Sequence, residues 1–203
     1  MILHSVTQGS PEWHTLRAGI PTASCFDKIL TPGGEPSKQA ESYRYKLVAE
    51  RLIGRPIDTF TGGWMDRGTA FEAEAVAYYE AQRDMDTERI GFVTNDAGTI
   101  GASPDRFVGD RGLLEVKVPA PHTHVGYLLS RKVEKDHKVQ VQGQLWIAER
   151  EWCDVLAYSP DGLPPIIIRV ERDEEYIRKL AAVVGEFSAM VEQTVARLRE
   201  AAA

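Results

Sequence analysis

Cysteine is almost missing from this chain of 203 residues: only Cys25 and Cys153 occur. Two thiols cannot build a disulfide framework or a four-ligand zinc site. Both are expected as buried small hydrophobes in a reducing compartment. No apolar run reaches the ~18 residues that a membrane-spanning helix needs. The first residues, Met1-Ile2-Leu3-His4-Ser5, lack the basic stretch and apolar core of a secretion signal. Positive charge is also in deficit, with 24 Lys and Arg against 30 Asp and Glu, a net charge of −6. A protein that coats nucleic acid without specificity should be basic, so that class is disfavoured. Chemistry on phosphodiesters is not excluded, because a metal site needs clustered carboxylates and a phosphate groove needs only local positive charge. Arg131-Lys132-Val133-Glu134-Lys135-Asp136-His137-Lys138 is locally basic, whereas Glu171 to Glu200 carries more acids than bases. That unevenness suits one nucleic-acid-facing side, although each lysine alone reads equally as part of a solvated loop.

What is present describes an ordinary folded domain. The chain is 43% hydrophobic and 27% charged, and residues 1–203 are expected to form one domain with a real core. No repeat, low-complexity tract or linker interrupts it. Ser10-Pro11 reads as a helix cap followed by proline at the first helical position, opening a helix to about Ala18. Thr22–Leu30 reads as a short helix, and Ser37 caps a third that stops at Gly54. A fourth is expected from about Asp66 to Arg83. Strands are expected at Arg89–Thr94, Thr99–Ser103, Arg106–Val108 and Leu113–Val118. Helices follow at His122–Arg131 and Asp136–Arg150, then strands at Trp152–Ser159 and Pro165–Glu171. Asp173 caps a long last helix to about Ala201. The pattern is α/β (α+β), a central mixed sheet flanked by helices.

The most informative stretch is Ser103-Pro104-Asp105 followed by Leu114-Glu115-Val116-Lys117. Gly109-Asp110-Arg111-Gly112 between them is a turn signal. Strand alternation places Glu115 and Lys117 on one face and Leu114 and Val116 on the other. Asp105 starts the opposing arm. Two carboxylates and a nearby carbonyl make a hard oxygen site suited to Mg²⁺ or Mn²⁺. A lysine beside them can orient a water or neutralise developing charge. Pro-Asp followed by Glu-x-Lys is the form of the PD-(D/E)XK nuclease signature, and a hairpin with a solvated Glu/Lys face is the bland alternative.

Other candidates are weaker alone. Glu72 sits at the edge of the helix face formed by Phe71, Ala75 and Tyr78, and as a lone residue it reads as a surface glutamate. In Gln140-Val141-Gln142-Gly143-Gln144-Leu145-Trp146, Gln140 and Gln144 share a face, while Gln142 lies nearer Leu145 and Trp146. A buried Gln142 could meet a phosphate or water, or could make a helix–sheet hydrogen bond. Arg17 and Ser24 near a helix start could form a phosphate pocket, or Arg17 could bind carbonyls. His122 and His124 diverge on a helix and are read as surface or DNA-facing residues. The tryptophans 13, 64, 146 and 152 are expected in the core, with Trp64 possible on a tip near a DNA entrance.

Taken jointly and in order, these motifs resemble the phage lambda exonuclease family, the YqaJ-like viral recombinases. The pieces are Gln8–Gly19, Thr22-Ala23-Ser24, Gly68–Glu72, Ser103-Pro104-Asp105, Leu114–Pro119, Gln140-Val141-Gln142-x-x-x-Trp146, Tyr158-Ser159-Pro160 and Val170–Glu174. They span nearly the whole chain. The resemblance implies a restriction-endonuclease-like core and a Mg²⁺-dependent 5′-to-3′ exonuclease on double-stranded DNA, with Mn²⁺ as a possible substitute. Mononucleotides would be released and a 3′ single-stranded tail left for recombination. It implies Asp105, Glu115, the Val116 carbonyl and Glu72 as metal ligands, for two ions. It implies Lys117 as the residue that orients the attacking water and Gln142 as the motif's glutamine. Arg17, Ser24 and Ser103 match positions that hold a terminal 5′ phosphate, and Met65 aligns with a strand-parting wedge. A homotrimeric ring, a single-strand annealing partner and the cytoplasm of a bacterial host are implied too. Two alternatives stay open at this point: an endonuclease of the same superfamily, and a non-catalytic DNA-binding module on a nuclease core.

Overall fold

The structure is a computed structural model that describes residues 1–57, 63–133 and 135–202, without the side chains of 63–69 and 135–136. Its elements run β1 (Ile2–His4), α1 (Pro11–Arg17), a 3₁₀ helix (Ala23–Lys28), α2 (Ala40–Ile53) and α3 (Gly63–Arg83). Five short strands follow, β2 (Thr87–Arg89), β3 (Phe92–Thr94), β4 (Gly101–Ala102), β5 (Arg106–Val108) and β6 (Gly112–Lys117). The chain then forms α4 (Pro121–Ser130), α5 (Lys135–Ile147), β7 (Trp152–Ala157), β8 (Ile166–Glu171) and α6 (Glu174–Ala201).

The caps explain several boundaries. Ser10 Oγ accepts from the Trp13 N–H at 3.2 Å, and Pro11 opens α1. Asp173 accepts from the Tyr176 N–H at 3.0 Å at the start of α6. Gly54, at φ 70°, closes α2 in the left-handed conformation.

A five-stranded mixed sheet, ordered β2-β5-β6-β7-β8, carries the centre of the molecule. Among the described strands of this sheet, only β6 and β7 pair in parallel, Leu113 opposite Cys153 and Glu115 opposite Val155. A parallel pair needs a crossover, and α4 with α5 supplies it. The two faces of β6 go to different layers. Leu114 packs with Ala75, Val76 and Tyr79 of α3. Leu113 joins the main core beside Val139, Val141 and Leu145 of α5 and the apolar stripe of α6. Ile177, Leu180, Val184, Phe187, Val191 and Val195 form that stripe at helical spacing, and all are buried. Each such side chain contributes roughly 2 kcal/mol on leaving water.

The structure corrects the expected strands. Arg89–Thr94 is not one strand: Ile90 and Gly91 separate β2 from β3, and the two belong to different sheets. A Cβ at Gly91 would fall 2.0 Å from the Val6 carbonyl oxygen. Only glycine allows the chain to cross so close to the segment after β1. The expected strand Thr99–Ser103 shortens to β4, which joins the three-stranded sheet β1-β3-β4. Ile2–His4, unassigned in the sequence reading, pairs antiparallel with β3.

Candidate active site

The β5–β6 hairpin sets the centre of the site. Gly109, at φ 54°, begins the reversal. The strands pair Arg106 with Leu114 and Val108 with Gly112. One step further along this register lies Asp105 opposite Glu115. Asp105 Oδ2 accepts the Val116 N–H at 2.6 Å, which fixes its carboxylate against β6. Glu115 is buried, and three donors meet its carboxylate while one acceptor position on Oε2 stays open. Its Oε1 accepts from Lys117 Nζ at 2.7 Å and from Gln140 Nε2 at 2.6 Å. Its Oε2 accepts from Gln144 Nε2 at 2.7 Å. Lys117 Nζ also donates to Gln140 Oε1 at 3.2 Å, closing a ring of hydrogen bonds.

Burial pushes the Asp105 carboxyl well above its usual range, and the Glu115 charge adds to that. The Val116 N–H and Lys117 pull it back only in part, while Glu72 raises it further. Burial lowers Lys117, but the charge and hydrogen bond of Glu115, with Asp105, outweigh it and hold the amine above its ordinary value. Lys117 is therefore an ammonium between acids, and Asp105 sits where a proton or another cation is favoured.

Glu72, on α3, joins the edge of this cluster. Its Oε1 lies 2.7 Å from Arg106 Nη1 and 3.9 Å from Arg89 Nη2. The carboxylate thus reaches the hairpin and already has a cationic partner there.

Gln142 does not reach it. Its Nε2 donates to the Glu171 carbonyl at 2.8 Å, and its Oε1 accepts the Asp173 N–H at 3.0 Å. It ties α5 to the end of β8 and the start of α6, the helix–sheet bond left open by the sequence. Gln140 and Gln144, four residues apart, share the face that meets Glu115, and Gln142 points about 200° around from Gln140. Gln144 Oε1 is buried and has no hydrogen-bond partner among the described residues.

A second cluster lies at the start of the fold. Arg17 Nη1 donates to Ser103 Oγ at 3.0 Å, and Nη2 donates to Ser24 Oγ at 3.2 Å and Thr22 Oγ1 at 3.4 Å. Trp13 Nε1 also donates to Ser103 Oγ, at 3.0 Å, and the Trp13 ring lies 4.1 Å under the guanidinium. Ser103 Oγ therefore accepts twice, leaving its own proton to donate elsewhere. Among the described residues no carboxylate pairs with Arg17. Burial draws its guanidinium down from the ordinary range, yet arginine stays charged in proteins. A half-buried cation surrounded by hydroxyls is suited to an anion. Gln8 Nε2 binds the carbonyls of Ile90 and Pro104 at 2.8 and 2.9 Å, which links this cluster to the residue before Asp105.

Residues 12–151 match the model of the YqaJ-like viral recombinase domain. The chain belongs to the YqaJ-like viral recombinase family. An alkaline exonuclease (LHK-Exo) from Laribacter hongkongensis has a similar structure, with 30% identity and a TM-score of 0.86. The match covers 95% of this chain and 98% of that one. The same exonuclease in complex with dAMP matches with a TM-score of 0.85 and 30% identity, over 95% and 98% of the two chains. A phage-related exonuclease from Haemophilus somnus 129PT shares the fold, with 15% identity, a TM-score of 0.71 and coverage of 88% and 96%. No curated protein sequence gave a significant match.

The donor set of this YqaJ-like domain fits a hard cation. Among the described residues no cluster of three or more His, Cys, Asp or Glu forms a metal cage. Two carboxylates and a carbonyl are nevertheless what Mg²⁺ uses when it keeps waters and substrate oxygens as its other ligands. Burial first, and then the like charges of Glu115 and Glu72, raise Asp105, and a cation there would relieve both.

Some expected positions fall elsewhere. Met65 lies in α3, but its side chain is outside the described residues, as is that of Trp64. His124 is not a surface residue: it is fully buried, and Nε2 lies 2.9 Å from the Pro164 carbonyl. His122 is exposed. Cys153 is buried, Cys25 only half-buried, and both thiols are free. No helix among the described residues is long and apolar enough to cross a membrane.

Sequence reasoning missed Gln140, Gln144, Arg106, Trp13 and Thr22 as members of the two clusters. The i, i+4 glutamine spacing was the available signal for the first pair. It also missed Asp154, which is fully buried on β7. Arg169 Nε donates to its Oδ1 at 2.5 Å, and Tyr79 of α3 donates to its Oδ2 at 2.8 Å.

Proposed function

We propose that the chain is a Mg²⁺-dependent 5′-to-3′ exonuclease that degrades one strand of linear double-stranded DNA from a 5′-phosphorylated end. It would release mononucleotides and leave a 3′ single-stranded tail. One observation carries the reading: Asp105, Glu115 and Lys117 converge on the β5–β6 hairpin. Family membership and the exonuclease structures that the chain resembles support it.

A divalent ion held by Asp105, Glu115 and the Val116 carbonyl would supply Lewis-acid polarisation of the phosphate and a water of lowered pKa. The chain's own residues do the rest. Lys117, protonated, donates to the attacking water and offsets charge developing on the phosphate oxygens. Gln140 and Gln144 hold both oxygens of Glu115 in place, so that carboxylate is set before substrate arrives. Arg17, Ser24 and Ser103 receive the terminal phosphate, which orients the end nucleotide and sets polarity. Glu72 completes the acidic edge, with the second ion near Asp105. Mn²⁺ is expected to substitute for Mg²⁺, and a ring-shaped homotrimer working with a single-strand annealing protein completes the proposed assembly.

The test is digestion of linear duplexes that carry a 5′ phosphate at one end only, with a covalently closed circle as control. Mononucleotides released from the phosphorylated strand, only with Mg²⁺ present, support the reading. A cut circle, or loss from 3′ ends, refutes it.

A further inference from the structure

Glu50 is a buried carboxylate on α2, 5% exposed; it makes no hydrogen bond to either cluster described above, although its charge favours the charged form of Arg17. Its Oε2 accepts the Gly19 N–H at 2.8 Å, and its Oε1 accepts the Ile57 N–H at 3.2 Å. Lys46 Nζ approaches Oε1 at 3.8 Å from one turn earlier. The next residue, Arg51, donates from Nε to the Gly19 carbonyl at 3.1 Å. Two successive residues of α2 thus hold both peptide groups of one glycine.

That glycine is a special point in the chain. Gly19 has φ +76°, and a Cβ on it would fall 2.5 Å from Arg51 Cγ. No other residue fits without displacing the grip. Gly19 lies two residues after Arg17 and three before Thr22. The reversal it makes turns the chain from the end of α1 back toward the Thr22 and Ser24 hydroxyls that Arg17 meets. The Ile57 N–H held by the other oxygen of Glu50 lies six residues before α3, which carries Glu72.

We infer that Glu50 is a positioning residue for the anion pocket: by gripping Gly19 together with Arg51, it sets where Arg17 faces Thr22, Ser24 and Ser103, and thereby how strongly a terminal phosphate is preferred. This rests on the reading of that pocket as the 5′-phosphate holder. A buried carboxylate must be satisfied by donors, and one oxygen of Glu50 is committed to the Gly19 N–H, in the turn that leads to the pocket. Small displacements of a binding group from its working geometry cost large factors in rate.

The experiment compares hydrolysis of two linear duplexes with Mg²⁺, identical except for a 5′ phosphate or a 5′ hydroxyl. The readout is the ratio of their kcat/KM values in wild type, Arg17→Ala, Glu50→Gln and Arg51→Ala. Glu50→Gln keeps the shape but cannot accept both N–H groups as a carboxylate does. It should reduce the ratio by about tenfold or more. The loss should fall on KM for the phosphorylated end, with the hydroxyl end unchanged. An unchanged ratio, or equal losses on both ends, overturns the inference, because a merely structural role would move both. If Glu50→Gln does not fold, Arg51→Ala decides: a reduced ratio supports the proposal and an unchanged one overturns it. A wild type without preference, or an Arg17→Ala variant that keeps it, instead sinks the pocket reading and this proposal with it.

Discussion

Replacing Lys117 with Met separates two roles that a single activity loss would confuse. In the protein Lys117 Nζ sits 2.7 Å from Glu115 Oε1, and the two side chains are 21% and 6% exposed. At a charge separation of about 4 Å, the attraction is about 1 kcal/mol in water and about 4 kcal/mol at an effective dielectric of 20. The burial here places the loss between those limits, roughly 2–3 kcal/mol. For a chain of this size that lowers Tm by about 4–12 °C in the absence of divalent ions. Removing the ammonium also leaves Glu115 with more negative potential for a cation to satisfy. Mg²⁺ should therefore raise the Tm of Lys117→Met by more than it raises that of wild type. DNA degradation should fall by roughly 10²- to 10⁴-fold. Thermal melts with and without Mg²⁺, alongside a nuclease assay, read all three effects. A variant with unaltered Tm and no larger gain from Mg²⁺ would refute the electrostatic reasoning, whatever its activity.

Three further outcomes are expected. Gln142→Leu should cost about 1–3 kcal/mol of stability, because the Glu171 carbonyl and the Asp173 N–H lose a buried partner. Hydrolysis per folded molecule should stay near wild type, whereas Gln140→Ala should lower it; parallel denaturant melts and rate assays check this. Stability should fall as pH rises from the ordinary Asp range in metal-free buffer. Asp105 has a folded-state pKa above its unfolded one, so the folded form binds more protons, and its contribution is lost as pH climbs through the raised value. Added Mg²⁺ should reduce that slope and Asp105→Asn should remove it, as pH-series melts would show. Asp154→Ala should destabilise by about 3–5 kcal/mol, because Arg169 and Tyr79 lose a buried anion; a loss under ~1 kcal/mol would contradict a structural role for that carboxylate.

Much of the hairpin was readable because its determinants are local. Gly109 and Asp110 mark the turn, and period-two alternation fixes which face Glu115 and Lys117 share. The same alternation sends Leu114 to α3 and Leu113 to α5, so the layering follows from residues four apart or fewer. The glutamines show where local reasoning stops. Gln142 and Gln144 are both 1% exposed, so burial cannot choose between them, and only contact with Glu115 on β6 does. The split between β2 and β3 depends on Gly91 meeting Val6, a contact across 85 positions that leaves no local signal. His124 follows the same rule. Its partner is the Pro164 carbonyl, forty residues on.

The central claim is that Asp105 and Glu115 share one cation that the chemistry requires. Calorimetric titration of Mg²⁺ into wild type and Asp105→Asn, each checked for native circular dichroism, tests it most directly. The account predicts saturable binding to wild type and its loss in the variant. Equal binding by both proteins would contradict it.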